Sequence, residues 1–428
     1  MTRSRLWLLP LLLAVLVGGG WYFSYRAQSS DRELPVYVRG GERMAAGETI
    51  YRRGSEDKPF TYPPFAAVPF VPFAKLPADW QPPAWFVVNF AIVLALVRWL
   101  HGYARRGLPG LAPPRPWGFW ILTLLLGGRH VLSVFTNQSH DLLILGLMAL
   151  LAAAWQRGRT TAALWAGLGA ATKATPLLAI GLFVLRRRAL AVTLLLVVTA
   201  AATLLPDWLF PLRDGTPWWR AWYEVNLRGL EVGGAASADG AWNAHSVLNQ
   251  SLSGTLTRLF TPVATPAASF VVGQQGEVLL VALPGWSFRV VALVAQLAVL
   301  GSITLGVLAA HRRVRAAADA RVAQGLVGLG EVAAIACGMV LLSPQSSKSH
   351  FCVWLLPAAY LAERLLRGGR DRVTWALVIT ALIVTSLAKD LVGKQLGNLV
   401  LAYGNVTWAT VLLLVATVRC LCRTRVTS

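Results

Sequence analysis

Residues 186–206 read RRRALAVTLLLVVTAAATLLP, three arginines followed by eighteen residues without a charge. A hydrocarbon core about 30 Å thick is crossed by roughly 20 apolar residues in a helix, a structure that satisfies its own backbone polar groups in lipid. The stretch therefore reads as a transmembrane helix entered from an arginine cluster. Comparable runs lie near 6–25, 82–100, 117–128, 139–155, 161–173, 175–185, 286–310, 325–342, 351–366, 374–388 and 399–418. The 428-residue chain is 56% hydrophobic and 14% charged, with a mean hydropathy of +0.55, whereas a soluble chain is about a quarter charged. A soluble multidomain protein is excluded. The expectation is an all-α polytopic membrane protein, one integral domain over 1–428 with about twelve spans. Three runs are too short to cross alone. The run at 117–128 and the pair split by Lys173 and Pro176 read as short, tilted or broken helices, tolerated at membrane depth when packed by neighbours or lining a cavity.

The formal net charge is +21, but its distribution rules out a nucleic-acid reading, because the arginines cluster between the apolar runs. Arg98, Arg105, Arg106, Arg115, Arg157, Arg159, Arg186, Arg187, Arg188, Arg312, Arg313, Arg315, Arg364, Arg367, Arg370, Arg372, Arg419, Arg423 and Arg425 fall in alternate loops that share a side with Arg3 and Arg5. The positive-inside rule makes that side cytoplasmic, with both termini there and an even number of crossings of the inner, plasma membrane. The run from Leu6 to Tyr22 reads as an uncleaved first span, since aromatics follow Gly18-Gly19-Gly20 where a small-residue cleavage site should be. Cys337, Cys352, Cys420 and Cys422 suggest neither a disulfide framework nor a zinc site.

On the opposite side, expected to face the periplasm or exterior, lie two long loops, 26–80 and 207–285, and shorter turns at 129–141, 343–350 and 389–398. In the first loop acids balance bases: Asp31, Glu33, Glu42, Glu48, Glu56 and Asp57 against Arg32, Arg39, Arg43, Arg52, Arg53 and Lys58. The second is rich in tryptophan (Trp208, Trp218, Trp219, Trp222, Trp242), as helices lying in the membrane interface are. Function is expected on this side, on loops held by a helical scaffold.

Four segments carry a family resemblance. The first loop reads Glu33-Leu34-Pro35-Val36-Tyr37, then Gly47-Glu48-Thr49-Ile50-Tyr51, then Tyr62-Pro63-Pro64 entering an apolar stretch. Further on come Asn137-Gln138-Ser139-His140-Asp141-Leu142-Leu143 and Gly167 to Lys173 followed by Pro176. The last is Leu342-Ser343-Pro344-Gln345-Ser346-Ser347-Lys348-Ser349-His350. In order and spacing these resemble glycosyltransferase family 87, membrane enzymes of the GT-C class that use polyprenyl-phosphate sugars, typically mannose. The resemblance implies a GT-C fold, a polyprenyl-phosphate sugar donor, a glycolipid or glycan acceptor and inversion at the sugar; interfacial helices are expected in the outer loops, and no cofactor is assigned. Two departures stand out. The family's acid is generally aspartate, while Glu33 holds that place here with Asp31 two residues earlier. The tryptophan common after S-P-x-S is here Ser347.

The chemistry asks for the same residue types. Sugar transfer from a polyprenyl phosphate to a hydroxyl needs a carboxylate to take the acceptor proton and cations to stabilise the leaving phosphate while the sugar passes through an oxocarbenium-like state. Glu33 or Asp31 can be the base. Lys348, His350, Lys173, Arg129 and His130 stand at the outer ends of helices where a lipid phosphate would sit, and Tyr37, Gln138 and His140 complete the expected substrate-binding set. No acidic pair has metal-ligand spacing. Each residue also has a bland reading: a solvated loop acid for Glu33, snorkelling for Lys348 and Arg129, satisfied polar groups for the histidines. Lys173 is harder to dismiss, since a lysine between two apolar half-helices is costly in lipid. Tyr62-Pro63-Pro64 reads as a turn back into the membrane. A transporter is the rival from another class, suited by Lys173 and broken helices, but it predicts inverted repeats and none is evident. A lipid-linked glycan ligase or polymerase is the third reading.

Overall fold

A computed structural model describes residues 8–28, 32–52, 58–106, 112–113, 115–230, 233, 244–262, 278–368 and 371–423. Asp31 lies outside the described residues, as do Arg3, Arg5, Arg53, Glu56, Asp57, Trp242, Arg370 and Arg425. Among the described residues every regular element is helical and there is no strand. Among the described residues six helices are long and apolar enough to cross a bilayer: Ala78–Arg105, Pro116–Asn137, Ala189–Leu209, Gly285–Ala316, Ala320–Leu342 and Asn405–Arg423. Shorter apolar helices include Asp141–Gln156, Ala162–Thr172, Thr175–Leu185 and Arg372–Ser386.

Burial sorts the long helices into two kinds. The helix Ala320–Leu342 has 89% of its apolar window buried inside the protein, whereas Ala189–Leu209 has 22%. An apolar helix buried on every face is a core helix, and one that exposes Leu190, Leu196, Val197 and Leu204 in a polytopic chain presents them to lipid. The central helix packs against Gly285–Ala316, Asn405–Arg423, Asp141–Gln156 and Leu355–Arg367. Small residues permit the close approach: a Cβ on Gly330 would meet the Tyr360 ring at 2.5 Å and one on Gly338 would meet Ile303 at 2.5 Å.

One sequence expectation is corrected here. The run at 117–128 is not a short helix but part of a 22-residue one, Pro116–Asn137. It continues through two polar residues because both find partners: Arg129 Nη1 donates to the Thr385 carbonyl at 2.5 Å, and His130 Nδ1 lies 3.1 Å from the Lys348 carbonyl. The break at Lys173 is as expected. Ala162–Thr172 ends there, Lys173 is extended (φ −152°, ψ 110°), and a 3-10 turn, Thr175–Leu178, follows with Pro176 in its first positions.

The first long loop folds into a small second core. The helix Leu34–Ala45 buries Val36, Tyr37, Gly40, Gly41 and Met44 on one face. It packs so tightly on the Phe70–Ala74 helix that a Cβ on Gly41 would stand 2.4 Å from the Phe70 carbonyl oxygen. Phe23, Phe60, Phe70, Trp85 and Trp218 fill this core around Tyr37.

Candidate active site

Two carboxylates lie at the junction of the small core and the helix bundle, joined through Tyr37 and His140. Glu33 stands just before Leu34–Ala45, whose start is set by Pro35. Its backbone N–H donates to the Asn137 carbonyl at 3.0 Å, which fastens the loop to the end of Pro116–Asn137. Among the described residues its carboxylate meets Lys58 Nζ at 2.8 Å from Oε1 and the Tyr37 hydroxyl at 3.0 Å from Oε2. The side chain remains 16% exposed, so it is reachable from outside the protein.

Tyr37 follows one helical turn later, with its ring buried against Phe60, Tyr62, Phe70 and His140. Burial, and after it the charge of Glu33, pushes its phenol well above the usual tyrosine range, so the hydroxyl keeps its proton and donates it to Glu33. His140 Nδ1 lies 2.9 Å from the same oxygen. With the tyrosine proton committed to Glu33, that nitrogen is the donor and His140 Nε2 is the acceptor, buried with no hydrogen-bond partner among the described residues.

Asp141, the next residue, opens the helix Asp141–Gln156 and is the second carboxylate. Oδ1 pairs with Lys173 Nζ at 2.6 Å, Oδ2 accepts from Ser139 Oγ at 2.8 Å, and His350 Nε2 lies 3.9 Å from Oδ2. Lys173 Nζ also stands 5.6 Å from the Tyr62 ring centre, and Tyr62 meets His140 edge-on at 4.2 Å. His350 Nδ1 accepts from the Ser347 N–H at 3.3 Å, which leaves Nε2 as the donor. Burial, then Lys173, lowers His350 to about 4, so it is neutral at physiological pH. Asp141, Lys173, Ser343, Ser346 and His350 line one cleft floored by Ile144, Met339, Val340 and Val353.

The loop 343–350 is held from the side by the second long loop. Asn249 Oδ1 accepts from the Ser346 N–H at 3.0 Å, and the Gln250 N–H donates to the Ser346 carbonyl at 2.7 Å. Buried Arg258 fixes that clamp by donating to the Ser246, Asn249 and Ala402 carbonyls.

Of the residues singled out in the sequence, Glu33, Tyr37, His140, Lys173 and His350 come together. Lys348 lies in the same loop as His350, two residues away. His130 packs on Trp354 at 4.7 Å between ring centres and holds the 343–350 loop by the Lys348 carbonyl. Arg129 reaches toward the end of Arg372–Ser386 instead. Gln138, left-handed at φ +55° where Pro116–Asn137 ends, donates through Nε2 to the Phe23 carbonyl and receives Trp85 Nε1 on its own carbonyl. It joins three helices. Sequence reasoning passed over Asp141, Lys58 and Tyr62. Asp141 had a readable signal, an acid at the mouth of an apolar run, which in lipid asks for a cation.

The arrangement supplies a reachable anionic carboxylate and, within one cluster, an ammonium and an imidazole N–H. That combination can accept a proton on one side while stabilising negative charge on the other. A polyprenol-phosphate-mannose-dependent alpha-(1-2)-phosphatidylinositol mannoside mannosyltransferase of Mycobacterium tuberculosis is 28% identical over 408 residues, 89% of this chain and 82% of its own length. A polyprenol-phosphate-mannose-dependent alpha-(1-2)-phosphatidylinositol pentamannoside mannosyltransferase of Mycolicibacterium smegmatis is 28% identical over 217 residues, 48% of this chain and 50% of its own length. No solved structure matches the chain. The model of glycosyltransferase family 87 matches residues 60–344, a stretch that takes in Tyr62, Asp141 and Lys173, and the chain belongs to that family of glycosyltransferases.

Proposed function

We propose that this enzyme transfers mannose, with inversion, from a polyprenyl-phosphate donor to a hydroxyl of a phosphatidylinositol mannoside or similar envelope glycolipid. The site faces the side opposite the arginine-rich loops, the periplasm or exterior, and both termini are cytoplasmic. The scaffold is of GT-C type, the short and broken helices completing about twelve crossings. The donor and acceptor classes are those named for the mycobacterial relatives. The observation that carries the reading is the chain Lys58–Glu33–Tyr37–His140 standing beside Lys173–Asp141–His350.

Glu33 is the base. Lys58 and Tyr37 hold its carboxylate aimed, and it takes the acceptor hydroxyl proton as the acceptor oxygen bonds to the anomeric carbon. The bond from that carbon to the phosphate oxygen breaks, and its electron pair leaves with the polyprenyl phosphate. Lys173 and the His350 Nε2–H stabilise that phosphate, with Lys348 from the same loop. Asp141 holds Lys173 in place and keeps its charge balanced in the absence of donor. The test is transfer by the purified protein from labelled polyprenyl-phosphate mannose to a phosphatidylinositol mannoside. A labelled, longer mannoside is expected; no product from that donor with any glycolipid of the host membrane would refute the reading.

A further inference from the structure

The other end of the bundle holds a cavity of about 770 Å³ lined by Gln156, Arg157, Arg159, Arg188, Arg321 and Gln324. Three separate connections build it: the turn after Asp141–Gln156, the arginine run before Ala189–Leu209, and the link between Gly285–Ala316 and Ala320–Leu342. Arg157, Arg159, Arg188 and Arg321 bring four guanidiniums to one concavity. None of them makes a side-chain hydrogen bond or ion pair among the described residues.

The nearby acids are already engaged. Asp319 caps the helix Ala320–Leu342 by accepting from the Arg321 and Val322 N–H groups. Glu331 is fully buried below, 3.5 Å from Arg186 Nε and 2.7 Å from Trp155 Nε1. Arg321 sits in the first turn of a 23-residue helix, the end where the helix dipole disfavours a cation and favours an anion. Beside the cavity the Gln156 amide nitrogen is buried with no hydrogen-bond partner among the described residues. Converging like charges and a positive helix end together ask for an oxyanion.

We propose that this cavity binds the phosphate head group of an anionic phospholipid. A lipid, and not a soluble polyphosphate, is favoured by what adjoins the arginines. Leu190, two residues after Arg188 in the chain, is 71% exposed, and Val197 and Leu204 continue an exposed apolar face along Ala189–Leu209. Acyl chains can lie along that face while the phosphate reaches the guanidiniums, whose planar forks match its oxygens. The site is separate from the Glu33 and Lys173 cluster and does not rest on the mannose reading.

Native mass spectrometry of the purified full-length protein with phosphatidylglycerol, cardiolipin or phosphatidylcholine tests this directly. The anionic lipids should be retained at least about tenfold better than phosphatidylcholine, since each basic residue beside an anionic head group contributes about a factor of five. The variant Arg157→Gln, Arg159→Gln, Arg188→Gln, Arg321→Gln should lose that preference while transferring sugar at the wild-type rate. The same four positions changed to lysine keep the charge that orients the chain and should retain only part of the preference, which supplies a readout should the glutamine variant fail to insert. Equal retention of anionic and zwitterionic lipid, or undiminished anionic retention in the lysine variant, overturns the proposal. Displacement by micromolar inorganic pyrophosphate without lipid preference overturns it in favour of a soluble polyanion.

Discussion

The Tyr37 hydroxyl closes back on the Glu33 carboxylate at 3.0 Å, one helical turn away, while His140 Nδ1 lies 2.9 Å from the same hydroxyl oxygen. The tyrosine thus orients the carboxylate and passes the position of His140 to it without carrying charge. Tyr37→Phe keeps the buried ring against Phe70 and removes the hydroxyl, with its bonds to Glu33 and His140. A hydrogen bond to a charged group is worth about 1.5–3 kcal/mol, so kcat should fall by roughly ten- to a hundredfold with the thermal midpoint nearly unchanged. Wild-type kcat would show that Glu33 needs no orienting partner.

Asp141 and Lys173 form the tightest ion pair at the site, 2.6 Å apart with side chains only 3% and 12% exposed. Removing one charge strands the other in a buried setting, at a cost of about 3–5 kcal/mol. Asp141→Asn and Lys173→Met should each lower the thermal midpoint of the detergent-solubilised protein, and the two together should restore part of it. Activity should stay lost in the pair, since the cation that meets the phosphate is gone. Recovered transfer in the double variant would remove Lys173 from the chemistry.

His350 offers its Nε2–H to the cleft, and Lys348 shares its loop. Losing one group that stabilises developing charge costs about ten- to a thousandfold in rate. His350→Ala and Lys348→Ala should each reduce transfer by that order while the protein still elutes as a folded species. Lys348→Arg should be only partly tolerated, because a planar fork and a compact ammonium present charge differently. Normal turnover in both alanine variants would take the 343–350 loop out of phosphate binding.

Much of this was readable in sequence. Arginine runs and apolar lengths set the helical class, and a lysine between two half-helices located a break. What could not be read were partners far away along the chain. The helix Pro116–Asn137 looked interrupted at Arg129 and His130 because the carbonyls that satisfy them come from Thr385 and Lys348, 256 and 218 positions on. Lys58 looked like one more loop charge until folding set it on Glu33. Asp141 was missed although the lysine 32 residues later is its counter-ion.

The proposed sidedness rests on the arginine asymmetry and is tested by thiol labelling in intact cells. In a Cys422→Ser background, cysteines at Glu48 and Asp214, both exposed, should react with an impermeant maleimide added outside, and one at exposed Arg312 should not. Reversed labelling would place the Glu33 site in the cytoplasm.

The base assignment is the sharpest test. Glu33→Gln keeps the shape of the side chain, and its amide oxygen can still accept from Lys58 or Tyr37, but it can no longer take a proton. Transfer should therefore be abolished while folding is retained. Asp31→Asn should leave a substantial fraction, because Glu33 holds the place four residues before Tyr37 and is bonded to it. Glu33→Asp is also informative. One methylene fewer withdraws the carboxylate by about 1.5 Å, enough to break both the Lys58 and Tyr37 contacts and to lengthen the path to the acceptor hydroxyl, so this variant should be impaired although its charge is intact. Rates measured with saturating donor and acceptor separate this from weaker binding, since a lost base lowers kcat and leaves KM little changed. Full turnover by Glu33→Gln with a dead Asp31→Asn moves the base to Asp31. Activity in both variants would mean that neither loop acid takes the proton, and Asp141 would then be the carboxylate to test.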